Sequence, residues 1–296
     1  MSISRKILVT GATGKQGSAV ARALLTRGQT VRALTRKPET AAVLARSGAQ
    51  IARGDFDDRS SIESAVRGCD GVFAMSTPFE AGTAGEVRQG TLLADVAKAL
   101  GVRHFVYTSV GGAERGTGIP HFETKARIER HIKGLALSYT ILRPAWFMEN
   151  FGTWLLPGIQ RGILSAPLWP RTRLHMVALR DIGEFAAAAF LQPGYGNRAI
   201  ELAGDLLTFP QVATMLGNAL GHQVKFRQIP DDRAETFVGR DMALMYRWFN
   251  EAGYDEAGYD VDIPALERTY GTRMTKFSEV LANEQWAKPP LVGGRR

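Results

Sequence analysis

Two ionisable side chains four residues apart raise the question of chemistry. In "PHFETK", His121 and Lys125 follow Pro120 at what reads as a helix start, and the i, i+4 spacing puts both on one helical face. An imidazolium titrates near neutral pH and can donate a proton, while a neighbouring ammonium lowers its pKa and weakens it as an acid. The same residues also suit an ordinary helix start whose polar groups do no chemistry. A second set lies in "LVTGATGKQGSAVARALL", with glycines at 11, 14 and 17 between a strand pattern and a helix pattern. Gly11 allows a tight turn, Gly14 lets backbone approach a pyrophosphate, and Gly17 lets the helix pack closely on the strand, with amides at the helix start facing the anion. The spacing departs from Gly-x-Gly-x-x-Gly, so its weight comes from its place at the first strand-to-helix turn.

The ends of the next strands supply what an adenosine would need. "ALTRKPE" puts Arg36 and Lys37 where a carboxylate would otherwise select a free 2′-hydroxyl, and a guanidinium can hold a 2′-phosphate by paired hydrogen bonds, so the expected cofactor is NADP(H). In "RGDFDD", Asp55 or Asp57 can accept from an adenine amino group and Phe56 can lie along the ring, while Asp58 is expected to cap the helix that starts near Ser60. Ser76, Thr77 and Pro78 in "MSTPF" leave the fourth strand where the chain passes beneath the phosphates, although a plain strand exit has the same composition. Tyr107 and Ser109 share a face of the fifth strand by alternation, Tyr107 being either a substitute acid or core. Trp146, Phe147, Phe151, Trp154 and Trp169, with Tyr246 and Trp248, form either an apolar pocket for a flat acceptor or packing between lobes. His175 and Asp181 in "HMVALRDIG" are a further pair; ligands are too few for a metal, and Asp181 is expected as a helix N-cap.

These residues need a scaffold, and the pattern around them provides one. From residue 6 to about 150, short β-branched runs alternate with helical periodicity: "KILVTGA", "TVRALTR", "QIARGDF", "GVFAMST", "HFVYTSV" and "YTILRPAWF" are strands, with helices from Gly14, after Pro38, from Ser60, from Glu86 and from His121. Such alternation implies right-handed βαβ crossovers and a doubly wound, Rossmann-type α/β sheet. Past Asn150, Gly and Pro interrupt the rhythm. The expected organisation is a cofactor domain over 1–150, rejoined by 176–203, and a smaller α+β lobe over the open sheet edge from 151–175 and 204–290, with 291–296 as a flexible tail. "EAGYD" occurs twice in tandem at 251–260 and reads as a loop duplication.

Composition bounds the setting. The 296 residues are 45% hydrophobic, enough for a substantial core, and the lone Cys69 excludes an intrachain disulfide and a multi-cysteine metal site, which fits a cytoplasmic protein. The chain begins without a secretory h-region, and no stretch stays apolar for the ~18 residues a spanning helix needs. Thirty-seven Lys and Arg against 29 Asp and Glu give a net charge of +8, but the basic residues are scattered, which argues against a nucleic-acid partner.

Together "VTGATGKQG", "TRKP", "GDFDD", "HFETK" and "LRPAWFMENF" resemble the NmrA-like family of atypical short-chain dehydrogenases/reductases, from about Lys6 to about Trp286. The resemblance implies that Thr13, Lys15 and Gln16 join Gly11, Gly14 and Gly17 at the pyrophosphate and that Arg36 holds the 2′-phosphate. It further implies that Arg88 reaches toward the cofactor, that Lys125 bonds the nicotinamide ribose, and that Phe147, Glu149 and Asn150 line the nicotinamide. Ser109 stands where the broader superfamily places a substrate-orienting hydroxyl. His121 stands in the tyrosine's place of Tyr-x-x-x-Lys, so the usual proton donor is altered. Three readings remain: His121 donates, the acceptor takes its proton from water, or no reaction occurs and NADP(H) is bound as a signal to a protein partner. The first two describe an NADPH-dependent reductase of a planar hydrophobic acceptor, the last a sensor. Oligomeric state is left open.

Overall fold

Apolar β-branched runs between turn residues become strands here because helices cover both faces of the sheet they build. The computed structural model describes residues 4–251 and 259–288. Most of the tandem "EAGYD" and the whole of the 291–296 tail lie outside the described residues. The chain divides into two units, one of residues 1–144 and Leu179–Glu201, the other of Ala145–Ala178 and residues 202–296.

The first unit runs β1 (Lys6–Val9), α1 (Lys15–Thr26), β2 (Thr30–Thr35), α2 (Ala42–Arg46), β3 (Gln50–Arg53), α3 (Arg59–Val66), β4 (Gly71–Ala74), α4 (Pro78–Ala99), β5 (His104–Thr108), α5 (Pro120–Gly134) and β6 (Tyr139–Pro144). After the excursion into the second unit it resumes with α7 (Leu179–Leu191) and β10 (Arg198–Leu202). Seven strands lie in the order β10-β6-β5-β4-β1-β2-β3, and β3 through β6 pair in parallel. The order reverses between β1 and β4, which opens a crevice at their C-terminal ends, where doubly wound sheets bind ligands. Ile7, Leu8, Val9, Val72, Phe73, Phe105 and Val106 are fully buried, as two covered faces require. Helix α1 crosses α7 so closely that a Cβ on Gly183 would stand 2.7 Å from the Ala19 carbonyl oxygen.

Local signals set most boundaries. Asp58 caps α3, accepting from the Ser60 and Ser61 amides at 3.0 and 3.3 Å, and Pro120 begins α5 at a position where its missing N–H costs nothing. Two expectations need correction. Helix α4 starts at Pro78 and not at Glu86, with a break at Gly82 (φ 71°, ψ 177°) that only glycine adopts readily. Asp181 is not an N-cap: it sits in the first turn of α7, two residues inside the helix.

The second unit contains β7 (Trp146–Phe147), α6 (Leu156–Gln160), β8 (Ile163–Ala166), β9 (Arg173–Val177), β11 (Asp205–Thr208), α8 (Phe209–Leu220), β12 (Lys225–Gln228), α9 (Ala234–Val238), α10 (Arg240–Glu251), α11 (Ile263–Tyr270) and α12 (Phe277–Asn283). Strand β9 pairs parallel with β7 and antiparallel with β11, while β12 pairs with β8. Phe151 anchors the core of this unit, with ring centroids 4.7 Å from Trp146, 5.5 Å from Phe209 and 5.1 Å from Phe277. Among the described residues no helix is long and apolar enough to cross a membrane.

Candidate functional site

The glycine turn forms a backbone cradle at the crevice. Gly11 has φ +59°, and its carbonyl accepts from the Gly14 amide at 2.9 Å, closing the turn. A Cβ on Gly17 would lie 2.2 Å from the Gly11 oxygen, so α1 packs against the turn at backbone distance. Gly14, the N-cap, has no side-chain cap, and the first turn of α1 carries no acidic residue. A helix start of this kind presents amides without intrahelical acceptors and a positive dipole end, which suits an anion. Gln16 is oriented by the Thr108 hydroxyl, which donates to its side-chain oxygen at 2.8 Å. The turn is registered to the neighbouring strand, since the Met75 amide donates to Thr10 Oγ1 at 2.8 Å.

A cleft of about 320 Å³ opens beside the cradle. It brings together Gly11, Thr13 and Gly14 from the turn, Arg36 and Lys37 from the end of β2, Asp55 and Phe56 after β3, and Ser76 and Thr77 after β4. Lys15, Gln16, Gly17, Pro78, Arg88 and Lys125 stand outside that lining. Of two cation–carboxylate pairs, the first lies in the lining and the second outside it. Arg36 pairs with Glu80, a lining residue that the motif reading passed over. Arg88 donates to Asp57 at 2.8 Å, and that bond holds the Asp57 carboxyl below its usual range, with the Arg36 charge adding to the effect. Thr77-Pro78-Phe79-Glu80 has the spacing of a helix-start signature, and Thr77 Oγ1 does accept from the Phe79 amide at 3.4 Å. That signal would have located both the start of α4 and Glu80.

Behind the cleft lies a charged cluster that the sequence reading half recovered. Lys125 is buried and donates to the Ser76 carbonyl at 2.7 Å, with the Thr108 carbonyl farther off at 3.4 Å. Its Nζ lies 3.0 Å from Glu86 Oε1 and 5.2 Å from the centre of the Tyr107 ring. Glu86 is wholly buried on α4, and its other oxygen accepts from the Thr124 hydroxyl. The 3.0 Å approach is an ion pair by distance, although its angle departs from that of a hydrogen bond. Burial opposes the Lys125 charge, but Tyr107 and Glu86 outweigh it and hold the ammonium pKa above its ordinary value. Burial pushes the Tyr107 phenol up, against the pull of Lys125, so Tyr107 is a buried strand residue and a poor acid.

The other candidates separate. His121 is half-buried, its ring edge-on to Phe122 at 4.7 Å between centroids. Ser109 is buried beside Glu129, the carboxylate that Arg143 grips through Nε at 2.9 Å and Nη2 at 2.6 Å, and does not line the cleft. Phe147, Glu149 and Asn150 belong to the second unit, on β7 and the 3-10 turn after it. The aromatic set does not form one group: Trp146, Phe151 and Tyr246 are buried in that unit, and Trp154 is 52% exposed. Trp169 donates to Asp231 at 3.1 Å with Arg171 over its ring. His175 Nε2 lies 3.0 Å from Asp260 Oδ1. No metal-binding group of His, Cys, Asp and Glu occurs among the described residues.

A parallel doubly wound sheet with a glycine cradle at its switch point defines a Rossmann-type dinucleotide-binding protein. Within that class, residues 4–286 match the model of the NmrA-like family, and the chain belongs to it. It is 31% identical to the (4-alkanoyl-5-oxo-2,5-dihydrofuran-3-yl)methyl phosphate reductase of Streptomyces griseus, over 78% of this chain and 79% of that protein. It is 29% identical to the NAD(P)H azoreductase of Xenophilus azovorans, over 77% of this chain and 79% of that protein. In structure it resembles the NADPH complex of an Escherichia coli quinone oxidoreductase, with TM-score 0.78 and 24% identity over 93% of this chain and 98% of that one.

Proposed function

We propose that this chain is an NADPH-dependent oxidoreductase that reduces a planar hydrophobic acceptor, a quinone, azo, enone or carbonyl compound, in the cytoplasm. The observation that carries this reading is the cleft at the switch point, where Arg36 and Lys37 stand at the end of β2 beside an uncapped helix start and no carboxylate occupies the strand end. The names of the similar reductases support the same class of chemistry.

The residues present fit such a cofactor. The glycine turn leaves open backbone for the pyrophosphate, Arg36 for the 2′-phosphate, Phe56 and Asp55 for the adenine, and the Ser76–Thr77 backbone as a floor. NADPH, when bound, supplies hydride to the acceptor. Lys125 contributes a fixed positive charge under the floor: it donates to the Ser76 carbonyl at short range and sits against the Glu86 carboxylate, and its long bond to the Thr108 carbonyl is the one assigned for exchange with a ribose hydroxyl. With Tyr107 sealed in the core and Ser109 beside Glu129, the proton comes from His121 or from water, and positioning supplies most of the rate.

The test follows NADPH absorbance across quinones, azo dyes, enones and aldehydes after binding is measured by titration. Saturable oxidation by one class is expected. Tight NADPH binding without oxidation across the panel would replace this reading with a non-catalytic NADP(H)-dependent regulator. Arg36→Ala is expected to weaken NADPH about tenfold or more, the scale of a lost charge-assisted hydrogen bond, and to leave NADH nearly unchanged. Equal losses for both nucleotides, measured by fluorescence titration, would remove the 2′-phosphate assignment.

A further inference from the structure

Arg36, the residue assigned to the 2′-phosphate, already has an anion. Its guanidinium pairs with the carboxylate of Glu80, both side chains are more than half exposed, and both line the cleft. A carboxylate and a phosphate monoester compete for the same fork of donors. Glu80 stands on the first turn of α4, which the Gly82 break separates from the long remainder of the helix. The Cβ position of Gly82 meets nothing within 4 Å, so the short turn that holds Glu80 has room at its junction. The neighbouring pair, Arg88 with Asp57, has no such relation to the 2′-phosphate, since Arg88 does not line the cleft.

Resting on the NADPH reading, we propose that Glu80 is a specificity-determining residue: its carboxylate occupies Arg36 in the free protein and must be exchanged for the 2′-phosphate, which narrows the preference for NADPH over NADH. NADH brings no group that calls on Arg36, so its binding leaves the pair intact. The consequence is quantitative. An exposed ion pair of ordinary strength depletes the unpaired state about two- to sixfold, and the apparent affinity for NADPH falls by the same factor.

The experiment titrates NADPH and NADH into the wild type, Glu80→Ala, Arg36→Ala and the double variant at low ionic strength. Glu80→Ala should bind NADPH about two- to sixfold more tightly while NADH changes by less than about twofold, and the gain should vanish in the Arg36→Ala background. The side chain is exposed, so folding is not at issue, and thermal melting checks it. Unchanged NADPH affinity, weaker NADPH binding, an equal gain for NADH, or a gain that survives Arg36→Ala each overturns the proposal. If wild type and Arg36→Ala bind NADPH alike, the NADPH assignment itself fails and the competition fails with it. That outcome is read from a different pair of proteins and is therefore distinguishable.

Discussion

Lys125→Met is expected to destabilise the protein by about 3–5 kcal/mol, the cost of stripping one partner from a buried ion pair. Glu86 is fully buried and meets the Lys125 ammonium at 3.0 Å, and Thr124 alone cannot neutralise it. The Ser76 carbonyl would lose its donor in the same step. Much of the loss is therefore the stranded charge, and Lys125→Met combined with Glu86→Leu should regain most of it, because an apolar pair of similar volume removes the desolvation cost. Thr124 keeps an acceptor in the double variant, since its hydroxyl also lies 3.0 Å from the His121 carbonyl. Urea unfolding measures both. A single-variant loss below about 1 kcal/mol would mean that water or another cation already serves Glu86. The pH dependence has a defined sign. Because the folded-state pKa of Lys125 is raised above 10.5, its contribution is intact below that value and is lost as pH climbs through the folded pKa. The part of the gap that Lys125 itself contributes should therefore be constant through neutral pH and be lost only in strong alkali.

The cluster that this prediction rests on also shows where reading the sequence stops. Turn chemistry is local, so Gly11, Gly14 and Gly17 mark the cradle, Asp58 marks a cap and Pro120 a helix start without any knowledge of the fold. Alternation of strand and helix is likewise local, and it leads to the doubly wound sheet. Glu86 is different. Its partner lies 39 positions away in sequence, and in "GEVRQG" an acid next to Arg88 reads as a solvated face. The clue was the stripe Glu86, Gly90, Leu93, Ala97, all buried, which continues the apolar period of α4 through a carboxylate. Glu80 was hidden by Gly82 and Gly85, which look like loop residues until the Thr77–Glu80 signature is weighed against them. Ser109 and the aromatic residues admit two readings for a related reason: a residue type suited to a site is equally suited to a core, and only packing decides which. Trp146 and Phe151 went to the core of the second unit, while Trp154 stayed exposed.

Gly17→Ala and Gly14→Ala, one turn apart in the same motif, should fail in different ways. A methyl on Gly17 would come within 2.2 Å of the Gly11 oxygen, 2.5 Å of its carbonyl carbon and 2.8 Å of the Ala12 nitrogen. All three are backbone atoms, so α1 must retreat. It has little room to do so, because Gly183 of α7 already approaches the Ala19 carbonyl on another side of the helix. Overpacking of this kind costs about 1–3 kcal/mol, and the clash with fixed backbone places Gly17→Ala toward the upper end. Moving α1 also withdraws its first-turn amides, so NADPH affinity should fall on the order of tenfold or more. Gly14 has φ −90° and ψ 179°, which alanine adopts without strain, and a methyl there would meet only the Gly11 oxygen, at 3.3 Å. Stability should therefore change by no more than about 0.5 kcal/mol. The methyl would nevertheless stand in the cleft lining where a pyrophosphate must approach backbone, and affinity should again drop about tenfold. Thermal melting with nucleotide titration separates the two variants. If Gly14→Ala bound NADPH like the wild type, the pyrophosphate would have to lie elsewhere, and the cradle would be only the close contact between β1 and α1 that Gly17 requires.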